Sequence, residues 1–444
     1  MVFDVVVLGG GESGVGSALL AKGKGKKVFL SDGGSIPERY LAVLQEADIP
    51  YEQGQHSLNK ILATSLVVKS PGIPESASIM KTIRHEGIPV FSEMEWAFSF
   101  LDKAKIVGIT GTNGKTTTTL LTYHLFKASG RNVCLAGNVG ISFAKAVLEG
   151  TYDEYVLEIS SFQLDDVYKF HCNIALLLNI TPDHLDRYNY DMREYIASKF
   201  KIFDKQQAND CFIFNAEDSN IAQNPLLCTH TASVERVGID LRNLQSPARI
   251  ENGFLVVGDL RLALDELPLK GPHNEFNMAA AILAAQKAGI PDSQIAQHIK
   301  TFVNAPHRLE QVAIKQGVKY VNDSKATNVD AVFYALQSFK EPIVWIAGGV
   351  DKGNQYALIE PLVRKHVKAL VCLGKDNKKL LAYFKDLIPL TADTDSLAEA
   401  IQKATSFAQD GDVVLLSPAC ASFDLFKNYE DRGNQFRAFC QNNL

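Results

Sequence analysis

The stretch Ile106–Leu121, IVGITGTNGKTTTTLL, decides how the rest of the chain is read. An apolar, β-rich run, Ile106–Ile109, meets a glycine turn, and an apolar helical pattern through Leu120, Leu121 and Leu125 follows at once. Strand, glycine turn and helix in that order form a phosphate loop. Gly111 and Gly114 let backbone N–H groups turn inward on phosphate oxygens, the helix N-terminus adds its dipole, Lys115 adds charge, and Thr116 offers a hydroxyl to Mg²⁺. The strict G-x-x-x-x-G-K pattern needs glycine at position 109, where Ile109 stands, so the loop is a variant. The competing reading is a glycine turn capped by threonine.

Outward from this loop, apolar β-rich runs alternate with helix-like segments to both ends, the pattern of βαβ units and parallel sheets. The 444 residues suffice for about three domains. The expected divisions are 1–92, 93–304 and 305–444. The first opens with the strand Val5–Leu8, and the second with a bridging helix, Glu93–Leu101, before the phosphate loop. In the third, the runs Ile343–Ala347, Ala369–Leu373 and Val413–Leu416 read as strands. A net charge of −5 provides no basic excess for a nucleic-acid backbone or an anionic membrane. No apolar stretch reaches the roughly 20 residues of a transmembrane helix. Seven scattered cysteines without a C-x-x-C pair read as reduced thiols, and the N-terminus lacks a signal-peptide pattern, so a cytoplasmic protein is expected.

Two strands of the middle segment deliver polar groups to their carboxyl ends, where open α/β sheets bind ligands. In YVLEISSFQL, Glu158 interrupts an apolar run, and a buried carboxylate needs a cation or several donors, which Mg²⁺ beside the loop would satisfy. In IALLLNITPDHLDRY, His184 follows the strand with Asp183 and Asp186 around it, as a metal ligand, as a group that orients a carboxylate, or as a capped loop histidine. YIASKFKIF carries Lys199 and Lys201, and composition singles out neither. GPHNEFN, with His273 and Asn274, reads by itself as a helix start with a buried polar pair. In the last segment, Arg308 in PHRLE, the turn YVNDSKATNVDA with Asp323, Lys325 and Thr327, AGGVDKGNQY with Lys352, and SPACASFDLFKNYEDRG with Ser422 are polar turns between apolar runs.

Together, TGTNGKTT, GNVG, LEISSFQL, DHLDRY, HNEFN, PHR, NDSKATN and SPACASFDLFKNYEDRGNQF resemble the ATP-dependent Mur ligases in their order along the whole chain. The resemblance implies an amide ligase that joins D-glutamate to a UDP-N-acetylmuramoyl-L-alanine carboxylate through an acyl phosphate, with ADP and phosphate as products, in peptidoglycan precursor synthesis. By the same resemblance, Gly111, Thr112, Asn113, Gly114, Lys115, Thr116 and Thr117 hold the ATP phosphates. Asn274 contacts adenine, Asp323 the ribose, and Arg308 the terminal phosphate. Two Mg²⁺ sites would use Thr116, Glu158, His184 and a carbamylated Lys199, and the catalytic set would be Lys115, His184, Lys199 and Arg308. Asn138, Ser160, Gln163 and His184 would face the UDP-sugar. Lys325, Thr327, Lys352, Ser422, Phe423 and Tyr429 would hold D-glutamate, with tyrosine at 429 where the family often has phenylalanine. A monomer that binds only small molecules, and whose third domain closes on the second, is expected.

GGGESG places Gly9, Gly11 and Gly14 after a strand, and Asp32 ends the next one. Taken alone this spells a dinucleotide fold and a nicotinamide dehydrogenase. That reading leaves TGTNGKTT and Glu158 unexplained, and a nucleotide switch would explain only the phosphate loop. The resemblance assigns Gly11, Ser13, Asp32 and Ser70 to the UDP moiety. Gly33 and Gly34 stand where some relatives carry a basic residue after the Asp32 position, which leaves open both the uridine-side contacts and whether Arg39 compensates.

Overall fold

The computed structural model describes residues 2–228, 234–351 and 353–443. Its packing separates two compact units, Met1–Leu267 with Phe276–Phe302, and Pro268–Glu275 with Val303–Leu444.

In the first unit, β1 (Val5–Leu8), β2 (Val28–Asp32), β3 (Tyr51–Gln53), β4 (Val67–Lys69) and β5 (Val90–Ser92) pair in parallel in the order β3-β2-β1-β4-β5. The β1 sequence VVVL is buried at every position, as an interior strand covered on both faces requires. A second parallel sheet contains β6 (Lys105–Thr110), β7 (Val133–Gly137), β8 (Glu154–Glu158), β9 (Ile174–Leu177), β10 (Cys211–Asn215) and β11 (Glu235–Ile239), in the order β11-β10-β9-β6-β8-β7. The chain leaves β6 to one side for β7 and β8 and to the other for β9 to β11. The carboxyl end of β6 is therefore a switch point, where such sheets open a crevice for ligands.

The two sheets share a core in which Val7 and Ala18 cluster with Trp96, Phe143 and Tyr155. Helix Glu12–Gly23 approaches closely at Gly16, where a Cβ would lie 2.0 Å from Ser142 Oγ. The link between the sheets is the short helix Glu93–Phe98, capped by the Ser92 hydroxyl on the Glu95 N–H. Its Glu95 is buried and accepts backbone N–H groups from Tyr168 (2.8 Å), Lys169 (3.0 Å) and Phe170 (2.9 Å). A buried carboxylate is tolerated here because three donors replace water.

The uniform βα reading misses one element. The strands β12 (Ala248–Glu251), β13 (Phe254–Val257) and β14 (Leu260–Ala263) form an antiparallel meander. Asn252 (φ 50°) and Gly253 (φ 78°) make the left-handed two-residue turn that Asn-Gly favours in hairpins, a local signal that the alternation masks.

In the second unit, β15 (Glu310–Lys315), β16 (Val318–Asn322), β17 (Ile343–Ala347), β18 (Val367–Leu373), β19 (Leu390–Thr394) and β20 (Val413–Leu416) take the order β15-β16-β20-β17-β18-β19. All pairs are parallel except β15 with β16, which another left-handed pair, Gln316–Gly317, turns into a hairpin. Among the described residues no helix is long and apolar enough to cross a membrane.

Glu95→Gln replaces the charged oxygen that accepts all three N–H groups with a neutral amide and should cost about 2 kcal/mol. Thermal unfolding followed by circular dichroism should show a lowered midpoint; an unchanged midpoint would mean that these bonds do not hold the link.

Candidate active site

The phosphate loop closes on itself. Gly111 has a φ of 155° and Gly114 one of 83°, conformations that glycine adopts without steric cost. A Cβ on Gly114 would also lie 2.5 Å from the Asn277 Oδ1. The Asn113 N–H donates to the Asn179 Oδ1 at 2.8 Å, and the Asn179 Nδ2 donates back to the Asn113 carbonyl at 2.9 Å. The Thr112 hydroxyl meets the Tyr195 hydroxyl at 3.1 Å and accepts the Thr181 N–H at 3.0 Å. Thr116 and Thr117 are buried in the first turn of helix Lys115–Ala128.

Two lysines converge here. Lys115 Nζ donates to the carbonyls of Gly111 and Thr112, both at 2.8 Å, and Lys199 Nζ reaches the same Gly111 carbonyl at 2.9 Å. Lys199 is 1% exposed, and its amine lies 4.7 Å from the Tyr195 ring centroid. Burial first, and then the Lys115 charge, push its pKa well below that of an ordinary lysine, against an opposing pull from Asp183. Lys201, two residues on, instead donates to the Asp165 carbonyl at 3.0 Å and is half-buried.

Glu158 lies beside Ile109 in the β6–β8 register, at the strand end next to the loop. It is buried. One carboxylate oxygen accepts the Asn138 Nδ2 at 2.7 Å, and the other has no hydrogen-bond partner. Such an oxygen is costly unless a cation meets it. Gly137 (φ 100°) allows this approach, since a Cβ there would lie 2.3 Å from the Glu158 carbonyl. Ser160 and Gln163 engage each other in a capping box, and His184 is half exposed, 3.6 Å from Asp183. No group of three or more His, Cys, Asp or Glu side chains that could hold a metal forms among the described residues.

At the first sheet, both oxygens of Asp32 are held by backbone N–H groups, from Gly10 at 2.6 Å and Gly34 at 2.7 Å, so this acid shapes the glycine turn. A Cβ on Gly11 would meet nothing within 4 Å, which leaves open space at the helix start. Ser13 lies in the first turn of that helix and faces the buried Glu93, whose carboxyl desolvation pushes up to about 7. The Ser70 hydroxyl is buried without a partner against Gly9 and Gly14. Arg39 stacks on Tyr40, 4.6 Å from its ring centroid.

In the second unit, Asn274 is buried and donates to the Lys270 carbonyl at 2.8 Å. Arg308 acts electrostatically on both His273 and Asp323. Burial lowers His273 to about 4 and raises Asp323 to about 7, although Asp323 accepts the Ser417 hydroxyl at 2.9 Å and the Leu309 N–H at 3.2 Å. Lys325 Nζ sits 5.3 Å from the Tyr429 ring centroid, Thr327 donates its N–H to the Lys325 carbonyl at 3.0 Å, and Ser422 is buried. Phe423 is 72% exposed, and Lys352 lies outside the described residues.

The sequence reading passed over Arg432. This buried guanidinium donates from Nε to Ser324 Oγ at 2.9 Å and from Nη2 to the Ser324 carbonyl at 2.8 Å, and it reaches the Cys420 carbonyl at 3.4 Å. It thereby ties NDSKATN to the SPAC turn. Asn179 and Tyr195 were also missed. An asparagine that ends an apolar strand was the available signal for Asn179, whereas nothing local marks Tyr195.

A phosphate loop at the switch point of a parallel sheet, with a buried acid and a depressed lysine beside it, defines a nucleotide-dependent phosphoryl-transfer site. The chain belongs to the Mur ligase family: the family's middle domain matches residues 109–285, and its glutamate ligase domain matches residues 307–420. It is 51% identical over 440 residues to the UDP-N-acetylmuramoylalanine–D-glutamate ligase of Cytophaga hutchinsonii, covering 98% of this chain and 97% of the relative. The enzyme of the same name from Porphyromonas gingivalis strain W83 is 47% identical, with 98% of each chain covered. Among solved structures, the UDP-N-acetylmuramate–alanine ligase of Thermotoga maritima shares the fold at a TM-score of 0.61 and 20% identity, covering 99% of both chains. The MurF ligase of the same organism, solved with ADP, also reaches 0.61 at 14% identity, covering 94% of this chain and 96% of its own.

The Asp323 pKa gives a pH signature. Folding favours the protonated acid, since its value rises from 3.8 to about 7, so this group's contribution to stability is full below the free value and is lost as pH climbs through about 7. The wild-type unfolding midpoint should therefore fall relative to Asp323→Asn between roughly pH 4 and 7. Parallel curves would contradict the assignment.

Proposed function

We propose that the chain is the ligase that joins D-glutamate to UDP-N-acetylmuramoyl-L-alanine, with cleavage of ATP to ADP and phosphate, in the cytoplasm and as a monomer. The observation that carries this reading is the phosphate loop with Lys115 and the depressed Lys199 on one carbonyl, beside the half-satisfied Glu158. The near-full-length likeness to relatives of that name supports the choice of substrates.

A carboxylate is a poor acyl donor, and phosphorylation supplies the leaving group. The substrate carboxylate attacks the γ-phosphorus of ATP in line, ADP departs, and the D-glutamate amine then displaces phosphate from the acyl phosphate. The first step brings two anions together, so cationic groups fixed at the phosphates lower its barrier. In this reading Lys115 swings from the Gly111 and Thr112 carbonyls onto the phosphates. The loop N–H groups cradle them, and Arg308 and Asp323 contact the terminal phosphate and the ribose. Asn274 meets adenine. Thr116 and Glu158 fit a first Mg²⁺, because the second Glu158 oxygen is buried without a partner. A second Mg²⁺ fits His184 and Lys199 only if Lys199 is carbamylated, since its amine is a donor. The depressed pKa provides the neutral amine that adds CO₂ and releases a proton. Bound Mg²⁺ supplies charge neutralisation on the phosphates.

Gly11, Ser13, Asp32, Ser70, Asn138, Ser160 and Gln163 would receive the UDP-sugar. Asp32 acts by shaping the turn, and Asn138 by orienting Glu158. Lys325, Thr327, Lys352, Ser422 and Tyr429 would hold D-glutamate, with Phe423 at the exposed rim.

Two experiments test this. With ¹⁸O in the alanyl carboxylate, one label should appear in the released phosphate; unlabelled phosphate would exclude an acyl phosphate. Lys199→Ala should lose at least about a hundredfold in kcat and recover part of it with added acetate, whereas full activity without acetate would remove Lys199 from the reaction.

A further inference from the structure

We propose that Arg187 is a positioning residue for the UDP-sugar: it fixes the loop Pro71–Ile73 and the ring of Phe162 in one arrangement, so that Ser70 and Ser160–Gln163 face the substrate together. This rests on the substrate reading above. Arg187 belongs to the short helical turn Leu185–Tyr188, which follows the second sheet, yet its guanidinium spends its donors on the first. Nη1 donates to the Gly72 carbonyl at 3.1 Å, and Nη2 donates to the carbonyls of Pro71 at 3.1 Å and Ile73 at 3.4 Å. Its Cζ lies 4.4 Å from the centroid of the Phe162 ring, within the range of a cation–π contact. The other side of the same network is aromatic: Phe162 packs edge-on to His184 at 5.3 Å and lies stacked with Tyr188 at 6.0 Å. One side chain therefore touches two segments expected to face the substrate, and through Phe162 it reaches a third.

The geometry suits arginine alone. Three carbonyls on one turn need a planar fork of donors, and a guanidinium stacks on a ring while donating in its plane. The backbone aims it at a cost. His184 (φ 52°), Asn189 (φ 52°) and Tyr190 (φ 58°) all take left-handed conformations around the Leu185–Tyr188 turn, and such residues persist where their surroundings over-determine them.

The loop is held at its other end as well. Lys69, buried, pairs with Glu75 at 2.6 Å and with Asp166 of the second sheet's segment at 2.8 Å, while Arg84 pairs with both acids. Lys69 and Glu75 anchor the two ends of the loop, and Arg187 holds its middle. Ser70 keeps a buried hydroxyl without a protein partner, facing the Gly9 and Gly14 turn.

Steady-state kinetics of Arg187→Lys and Arg187→Gln test the assignment. Lysine keeps the charge but loses the fork. Both variants should raise the KM for UDP-N-acetylmuramoyl-L-alanine about tenfold, while kcat and the KM values for ATP and D-glutamate stay within about twofold and the thermal midpoint holds. Phe162→Leu should add less in the Arg187→Lys background than in the wild type. An unchanged KM for the UDP-sugar overturns the proposal. So does a parallel rise in all three KM values with a lowered midpoint, which marks a general prop. Calorimetry of the wild type with UDP-N-acetylmuramoyl-L-alanine separates the two readings: binding there with unaltered variants overturns only the role of Arg187, whereas no binding to the wild type overturns the substrate reading itself.

Discussion

Two lysine amines share one acceptor, the carbonyl of Gly111, in a place that water barely reaches. Both cannot carry full charge there at low cost, and the more buried one, Lys199, yields. The chemistry proposed for the site depends on this inequality. In the proposed reading Lys115 supplies the charge that meets phosphate, while the lowered pKa of Lys199 favours an amine open to modification. The arrangement requires a glycine at 111, whose φ of 155° turns the carbonyl toward both amines, and a helix that brings Lys199 back over the loop through Tyr195.

Around that point, the fold repeatedly uses charged side chains to satisfy backbone groups. Glu95 takes three N–H groups of the 168–170 turn, Asp32 takes two at the first glycine turn, Arg187 serves three carbonyls, and Arg432 ties the polar turns of the second unit. Loops that carry function have few ladder bonds of their own. A buried or half-buried ion with several fixed partners gives such a loop one shape, which an apolar contact does not.

The phosphate loop was legible because strand, glycine turn, lysine and helix are contiguous, so local sequence determines the local geometry. Glu158 was legible for the same reason: a carboxylate inside an apolar run demands an explanation wherever the strand ends up. The choice between Lys199 and Lys201 came from the resemblance alone and not from residue types or spacing. Burial differs between them because of tertiary packing, which helical spacing does not encode. Asp32 was legible as the acid that ends the second strand, but its hydrogen bonds to the Gly10 and Gly34 N–H groups were not, because they depend on how the glycine turn folds back. Arg432 and Arg187 were invisible, because each draws its meaning from segments far away in sequence. The Asn-Gly hairpin at 252–253 was a local signal, masked by the long βα alternation around it.

The most direct test of the central claim is phosphate release from MgATP with each combination of UDP-N-acetylmuramoyl-L-alanine and a panel of amino acids that includes both glutamate enantiomers. The account predicts release only when the UDP-sugar and D-glutamate are present together. Release that needs neither, or that proceeds equally with L-glutamate, would contradict it.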